Sequence, residues 1–369
     1  ISLVNPSVVL APALGPTLGG WLTDNFNWRW VFYMGLPTSI AGMLLGLVFL
    51  PGRLGNKKAA RFDFFGLLLL TLFLVISLYA VANGQRAGWN SNLIVGLSSL
   101  GAILMLAFIA WELKTPQPLV NLLVFSVSRY SAAAVVALIF GAGIYGSSYL
   151  VPLFVQIVQG YTPTLAGELL IPGGLILALV FPIAGRLTDR FPAYYMVGTG
   201  LFVFGLSNML MYDMNVDTGF WRMALLVLLG RVGLGVMMPA LNAGALSVLP
   251  PAMLAQGTGT INFVRQLGGA FGVSLLAATT EVRFGFHADA LAATQTAGNG
   301  TTLELIGRVA GLDSSSGVPV TQTSAGALNY LSQMVAAQAQ SLAYGDGFAL
   351  VAIVFWVGIL PALWMRPKN

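Results

Sequence analysis

The sequence predicts an all-α integral membrane protein with about ten transmembrane helices. Hydrophobic residues make up 57% of the 369 residues and charged residues only 8%, whereas a soluble domain carries about 25% charged residues. About ten apolar segments each approach the roughly 20 residues that cross a bilayer core. A chain of this composition is expected to place its apolar surface in hydrocarbon.

The predicted spans follow one another with short polar connections. We place them near residues 3–22, 30–50, 64–82, 93–111, 132–158, 164–185, 196–211, 223–249, 258–280 and 347–365. Turn-forming and charged residues fill the gaps, for example at 84–92 and 212–219.

The first span contains an unusual run, Gly15-Pro16-Thr17-Leu18-Gly19-Gly20. Proline removes a backbone donor and glycine loosens a helix, but in hydrocarbon small residues let two helices approach closely. We therefore interpret Gly15, Pro16, Gly19 and Gly20 as a packing device within a membrane helix. The alternative is an ordinary loop turn, which the flanking apolar residues and the interface-like Trp21 disfavour.

Lysine and arginine predict the orientation, because positively charged short loops stay on the cytoplasmic side. One alternate set of connections holds ten of these residues: Arg53, Lys57, Lys58, Arg61, Lys114, Arg129, Arg186, Arg190, Arg366 and Lys368. The other set holds five: Arg29, Arg86, Arg222, Arg283 and Arg308. Both chain ends, the C-terminus included, are therefore predicted to be cytoplasmic.

One connection is long, at about residues 282–345, and the predicted orientation places it outside. Loops of this length are usually functional or disordered. Helix-forming residues at 303–309 and 325–342 predict short amphipathic helices there. Of the two interpretations, a passive linker and an element that contacts a partner or acts as a lid, we favour the second. His287 lies in this segment and is predicted to be a solvated surface histidine.

Arg231 and Arg265 fall inside predicted spans, where a charge costs about 3 kcal/mol on insertion scales. We predict that both face a central cavity, with anchoring to backbone carbonyls as the alternative. The deep parts of the spans hold no Asp or Glu, and Glu168 is the best local acid near the outer surface. The two cations would therefore need countercharges elsewhere, or would attract amphipathic anionic substrates.

Two polar stripes predict which helix faces line a substrate pathway. Tyr145, Tyr149, Gln156 and Gln159 recur at helical spacing with Pro152, and Asn262 and Arg265 share a face with Gly269 and Gly272. Gln266, beside Arg265, completes the candidate set. An interhelical packing seam is the alternative for each stripe.

Composition also excludes several chemistries. The chain has no cysteine and one histidine, which excludes disulfides, thiolate metal sites, a cysteine nucleophile and a histidine-rich metal site. No membrane-embedded enzyme constellation is evident. We therefore expect no metal and no cofactor. We also expect no nucleic-acid partner, because the net charge of +5 is distributed as the orientation of membrane helices requires.

Several runs, in their order along the chain, carry a family resemblance. They are ALGPTLGGW at 13–21, WRWVFY at 28–33, FDFFG at 62–66, WE at 111–112 with PQPL at 116–119, GYTP at 160–163 with AG at 166–167, NFVRQLGG at 262–269, and QA at 338–339 with AY at 343–344 and Phe348. Together they resemble the fourteen-helix drug:proton antiporters of the major facilitator superfamily, of the EmrB and QacA type. The runs cover nearly the whole chain.

The resemblance implies the major facilitator superfamily fold, with the ten spans matching helices 5 to 14 of fourteen. Residues 1–50 would be the last two helices of the N-terminal bundle, 51–129 an extra helix pair with cytoplasmic linkers, and 130–369 the C-terminal six-helix bundle. Four helices that carry the proton-titrating carboxylates would precede Ile1, so that the chain would be truncated.

Two family motifs are partly matched. Gly185, Arg186, Asp189 and Arg190 resemble a cytoplasmic gate motif, although Phe191-Pro192-Ala193-Tyr194 replaces its second basic cluster. Arg231 with Gly235 resembles a proton-translocation motif, with Leu234 where the motif prefers Gln. The antiporter motif departs at Ala11 and Ser2, where the family has glycines.

By resemblance, the chain would be part of a multidrug exporter in the bacterial inner membrane. It would move small hydrophobic or amphipathic drugs by alternating access, with the proton gradient as its energy source and no enzymatic activity. The long outer loop would contact a periplasmic adaptor and an outer-membrane channel. A permease for a metabolite or nutrient, and a non-transporting truncated remnant, are the alternatives.

Overall fold

The computed structural model describes residues 5–49, 62–296, 298–315 and 319–366. The basic segment from Arg53 to Arg61 and Lys368, which contribute to the predicted orientation, lie outside the described residues. The described residues form helices and connections with no strand among them. The predicted all-α class is therefore confirmed.

Thirteen α-helices follow one another along the described part of the chain. They are α1 Asn5–Asn25, α2 Arg29–Phe49, α3 Phe64–Ala87, α4 Asn92–Glu112, α5 Ser128–Ile157, α6 Pro163–Glu168, α7 Ile171–Thr188, α8 Ala193–Leu210, α9 Phe220–Leu246, α10 Leu254–Ala293, α11 Gly300–Ser315, α12 Val320–Val357 and α13 Ile359–Trp364. Two short 3-10 helices lie at Leu122–Ser126 and Pro251–Met253.

Side-chain caps and glycines set several helix boundaries. Asp63 accepts a 2.8 Å hydrogen bond from the amide of Gly66 at the start of α3, and Thr162 caps α6 with Pro163 at its first position. Such caps satisfy amides that have no partner within the helix. Gly88 after α3 and Gly160 before α6 have φ values of 82° and 69°, a region that favours glycine.

In the part of the chain that the structure describes, nine helical segments are long and apolar enough to span a membrane. α6 and α7 together form one of them, and most of α12 with α13 forms another. The first predicted span, residues 3–22, corresponds to α1, which is helical but is not among the nine. Its glycines, prolines and polar ends lower its apolar character.

The C-terminal bundle has one large hydrophobic core, and Leu177 and Phe181 of α7 form a small separate cluster. Helices α5 to α10, α12 and α13 contribute to the large core, and the phenylalanines Phe140, Phe154, Phe204, Phe348 and Phe355 are almost fully buried there. The α3–α4 pair packs against α10, where the rings of Phe73 and Phe271 lie 6.0 Å apart. α2 packs against α1 and buries no residue, so most of its apolar surface is available to lipid.

The predicted long connection at 282–345 is mostly helical. α10 continues to Ala293, α11 follows, and α12 already begins at Val320. The two predicted short helices lie within α11 and α12, which are both longer than predicted. α11 packs along α12, and this tertiary contact stabilises helix in a segment where glycine, serine and threonine lie between the helix-forming residues. Its external location stays a prediction.

The prediction that His287 is a solvated surface residue is wrong. Its side chain is 17% exposed, and its Nε2 lies 2.7 Å from Oδ2 of Asp346. α10 extends past the predicted end of its span, so His287 belongs to a helix packed against α12 and not to a loop.

Candidate transport pathway

Arg231 lies at the junction of four helices of the C-terminal bundle. It is on α9, about 16 Å along the axis from Phe220 at 1.5 Å per residue, and it is half-buried. Its Nη2 donates a 3.2 Å hydrogen bond to Oγ of Ser148 on α5, and its aliphatic part lies beside Gly173 on α7. A neutral hydroxyl, and no carboxylate, is thus its partner among the described residues.

A small polar cavity of about 10 Å³ adjoins Arg231. Ser147, Ser207 and Asn208 also line it, and Asn208 is 2% exposed. The Asn208 side-chain nitrogen donates to the carbonyl of Phe204 at 2.9 Å, but its Oδ1 has no hydrogen-bond partner among the described residues. The volume of this cavity is at the lower limit of what holds one water molecule.

Arg265 is half-buried on α10 and makes a different contact from Arg231. Its Nη2 donates a 2.7 Å hydrogen bond to Oδ1 of Asn262, one turn earlier on the same helix. Its backbone carbonyl lies against Gly141 of α5, where a Cβ atom would collide with it. The structure therefore brings Arg265 and Asn262 together at the α5–α10 contact and leaves Arg231 in a separate environment.

The predicted pathway residues make separate contacts. Tyr145 packs its ring over Gly269, the Gln156 side chain donates to the carbonyl of Pro152 at 3.1 Å, and Gln266 is exposed. Tyr149 is half-buried on α5. Neither the small polar cavity nor the larger apolar one described below is lined by any of them.

Gln159 has a structural contact that the helical spacing does not indicate. It lies beyond the end of α5, and its Nε2 donates to the carbonyls of Asn215 at 3.1 Å and Thr218 at 2.8 Å. Because α5 ends at Ile157, the predicted stripe does not extend to Gln159 as one helix face. Its place in the pathway set stays a prediction.

An apolar cavity of about 310 Å³ lies between α5, α10 and α12. Gly143, Gly272 and Phe271 are among its lining residues, and Thr279 supplies the one side-chain hydroxyl. Its volume lies at the lower end of the range of about 300–1,000 Å³ that is typical of small-molecule sites. The arrangement suits hydrocarbon groups and offers almost no polar recognition.

The glycine-rich run of α1 lies against α6. A Cβ atom on Gly20 would collide with the backbone carbonyl of Pro163, and Oγ1 of Thr17 donates a 2.9 Å hydrogen bond to the carbonyl of Gly167. Asp24 accepts hydrogen bonds from the amide and the hydroxyl of Thr164. We call this contact the α1–α6 seam, and it joins the first described helix to the C-terminal bundle.

The other small residues of the run are placed differently. Nothing among the described residues lies within 4 Å of a Cβ atom built on Gly15, and a Cβ atom on Gly19 would lie 3.9 Å from Val31 of α2. Pro16 supplies a carbonyl that lies near Gly167. Gly20 is therefore the residue of the run at which close helix approach requires glycine.

The predicted cytoplasmic gate residues lie at the end of α7. Arg186, Asp189 and Arg190 are exposed, and nothing described lies within 4 Å of a Cβ atom on Gly185. Among the described ranges, Asp189 makes no salt bridge. The role of these residues as a gate remains a prediction.

Sequence reasoning missed Asn208, Ser148, Asp24 and Thr164. The available signals were polar residues inside otherwise apolar segments, such as Ser207-Asn208 within α8. A buried polar side chain in hydrocarbon needs a partner, and only the packing of distant helices shows which one. The described residues contain no cluster of three or more His, Asp or Glu side chains arranged to hold a metal.

A bundle of described helices long and apolar enough to span a membrane, with the half-buried guanidinium of Arg231 among them, indicates a multi-pass membrane protein. Within that class, the chain belongs to the Major Facilitator Superfamily, whose sequence profile matches residues 1–273. The predicted fold class and family resemblance are thereby confirmed.

Three curated relatives illustrate the similarity. The Bacillus subtilis protein named "Uncharacterized MFS-type transporter YhcA" is 28% identical over 282 residues, 76% of this chain and 53% of its own length. The Mycobacterium tuberculosis "Multidrug resistance protein B homolog" is 30% identical over 304 residues, 79% of this chain and 54% of its own length. The Haemophilus influenzae "Multidrug export protein EmrB" is 28% identical over 362 residues, 97% of this chain and 69% of its own length. The chain thus spans little more than half the length of the first two.

Proposed function

We propose that this chain is the larger part of a proton-driven exporter of hydrophobic or amphipathic compounds in the bacterial inner membrane. The names of two relatives, a multidrug resistance protein homologue and a multidrug export protein, support the substrate class. The structural observation that carries the proposal is Arg231, which has a single described hydrogen bond at membrane depth. Its remaining donors are available to a ligand or to a titrating carboxylate of a neighbouring helix.

In the proposed cycle, two helical bundles rock about the substrate site. The α1–α6 seam would be part of the contact between the bundles, because it combines backbone approach at Gly20 with the polar link between Asp24 and Thr164. Proton binding would favour one facing state and drug binding the other, which couples the two flows. The apolar cavity would accommodate hydrocarbon groups of the compound.

The test is energy-dependent dye export from cells that express the gene product carrying this chain. We expect these cells to lose an ethidium-like dye faster than a vector control, and an uncoupler to abolish the difference. Arg231→Met should slow export about tenfold or more, because a charge-assisted hydrogen bond contributes about 1.5–3 kcal/mol. Dye efflux is followed by fluorescence.

Protein level and unfolding temperature are the controls for Arg231→Met. They should be unchanged or higher, because the substitution keeps the aliphatic packing and removes a charge from hydrocarbon depth. If the wild-type protein exports no dye with any energy dependence, or takes up a solute instead, the proposal is wrong.

We also propose that α11 and the adjoining part of α12 contact a periplasmic adaptor. Exposed apolar side chains support this proposal: Leu303, Leu312, Leu328, Tyr330 and Met334. Replacing both Leu303 and Leu312 by serine is expected to abolish copurification with a co-expressed adaptor from the same genome. Glu304→Ser on the exposed side of the same helix is the matched control. Unchanged copurification with the double variant would reject this partner.

A further inference from the structure

Three ionisable side chains meet where α10 packs against α12. Two side chains of α10 contact the Asp346 carboxylate on α12. Arg283 Nε lies 2.5 Å and His287 Nε2 lies 2.7 Å from the same oxygen, Oδ2. The side chains of Arg283, His287 and Asp346 are 36%, 17% and 21% exposed. Water can thus reach the cluster, although most of its surface is buried.

The distances indicate which imidazole nitrogen carries the hydrogen. If Nε2 lacked a hydrogen, its 2.7 Å approach to the Asp346 carboxylate would bring two acceptors together, so Nε2–H donates to Asp346. Nη2 of Arg283 also lies 3.4 Å from Nε2, too long for a strong bond. Nδ1 has no hydrogen bond to any residue that the structure describes, so its lone pair is open to an incoming proton.

The position of the cluster along α10 suits access from one side of the membrane. His287 lies about 50 Å from the start of α10 at Leu254, at 1.5 Å per residue, whereas the hydrocarbon core is about 30 Å thick. The cluster therefore lies beyond the end of the span, on the side that the predicted orientation places outside the cell. Protons that drive an antiporter enter from that side.

Other charged or titratable groups lie on α10 and α12 or on helices packed against them. On the neighbouring helices these are Arg86 of α3, which pairs at 3.3 Å with Glu281 of α10, Tyr149 of α5, Tyr344 of α12, and the exposed pair of Glu304 and Arg308 on α11. Arg283 itself also lies over the ring of Phe286, with its guanidinium carbon 4.5 Å from the ring centroid. Asp346 is the one carboxylate within salt-bridge distance of His287 among the described residues.

We propose that His287 and Asp346 form a proton-binding site that couples the outer end of the C-terminal bundle to transport. A proton from the outer water adds to the Nδ1 lone pair of His287, and no other bond is made or broken. Asp346 then faces two cations of α10 in place of one, which strengthens the link between α10 and α12. Loss of the proton weakens that link. This inference rests on the proposed export function.

The test compares proton-driven transport with exchange that moves no net proton. In proteoliposomes, an imposed pH gradient should drive dye transport by the wild-type protein, and His287→Gln and Asp346→Asn should each slow it about tenfold or more. Dye affinity and dye–dye counterflow should stay within about twofold of wild type. Asp289→Asn, an exposed carboxylate two residues from His287, is the matched control and should behave as wild type.

Each other result has a distinct meaning. If the wild-type protein neither binds nor moves dye, the export function itself fails. If His287→Gln keeps gradient-driven transport, the proton site is wrong while export stands. If a variant loses driven transport and counterflow together, the cluster is only structural and the inference is also overturned.

A second measurement follows the proton itself. We expect dye binding by the wild-type protein to release protons into a weakly buffered detergent solution, and His287→Gln to lose this release while it still binds dye. Unchanged release from His287→Gln would overturn the proposal.

Discussion

Replacing Gly20 by alanine is expected to separate α1 from α6 and to cause one of the largest losses of function in this chain. A single methyl group would overlap the Pro163 carbonyl and would lie 2.6 Å from its carbonyl carbon and 2.9 Å from the amide nitrogen of Thr164. Backbone atoms cannot move aside as a flexible side chain can. Overpacking of this kind costs about 1–3 kcal/mol, and the hydrogen bonds of Thr17 and Asp24 across the seam would be strained as well.

Thermal unfolding in detergent and dye export measure the two consequences. We expect a lower unfolding temperature and export reduced about tenfold or more, since ~1.4 kcal/mol corresponds to a factor of ten. Gly15→Ala in the same run is the matched control, because nothing described lies within 4 Å of its Cβ position. Equal effects of the two substitutions would show that the run acts through its glycine content and not through the seam.

The second large effect is expected at the contact of α5 with α10. Gly268 lies against the backbone of Leu138, and Gly141 lies against the backbone carbonyl of Arg265, so each helix presents a glycine to the other. Gly268→Ala would place a methyl group on the carbonyl of Leu138. We expect the free energy of unfolding to fall by about 1–3 kcal/mol or more, because this contact lies inside the hydrophobic core.

Gly259→Ala provides a control on the same helix. No described atom lies within 4 Å of its Cβ position, and alanine is the better helix former by up to about 1 kcal/mol. The control is therefore expected to be neutral or stabilising, opposite in sign to Gly268→Ala. A denaturant titration of both purified variants measures their free energies of unfolding. An unchanged free energy of unfolding for Gly268→Ala would contradict the close approach of α10 to α5.

Much of the fold follows from local sequence patterns. Apolar length predicted the membrane helices, because hydrocarbon requires each span to satisfy its own backbone hydrogen bonds. The weak point was residues 282–345, where glycine, serine and threonine interrupt the helix-forming residues, and where α11 packs on α12 and both helices are longer than predicted. The predicted stripe continues to Gln159 as one helix face, whereas α5 ends at Ile157, because helical spacing alone does not show where a helix ends.

The sequence by itself determined the class of this protein, its helical spans and the membrane depth of Arg231, because these depend on composition and on spacing along one segment. Only the tertiary structure decided that Gly20 approaches Pro163, that Arg231 bonds to Ser148, and that His287 meets Asp346. These partners are far apart in the chain. Their choice depends on how helix surfaces fit together, and no local pattern of apolar residues encodes that fit.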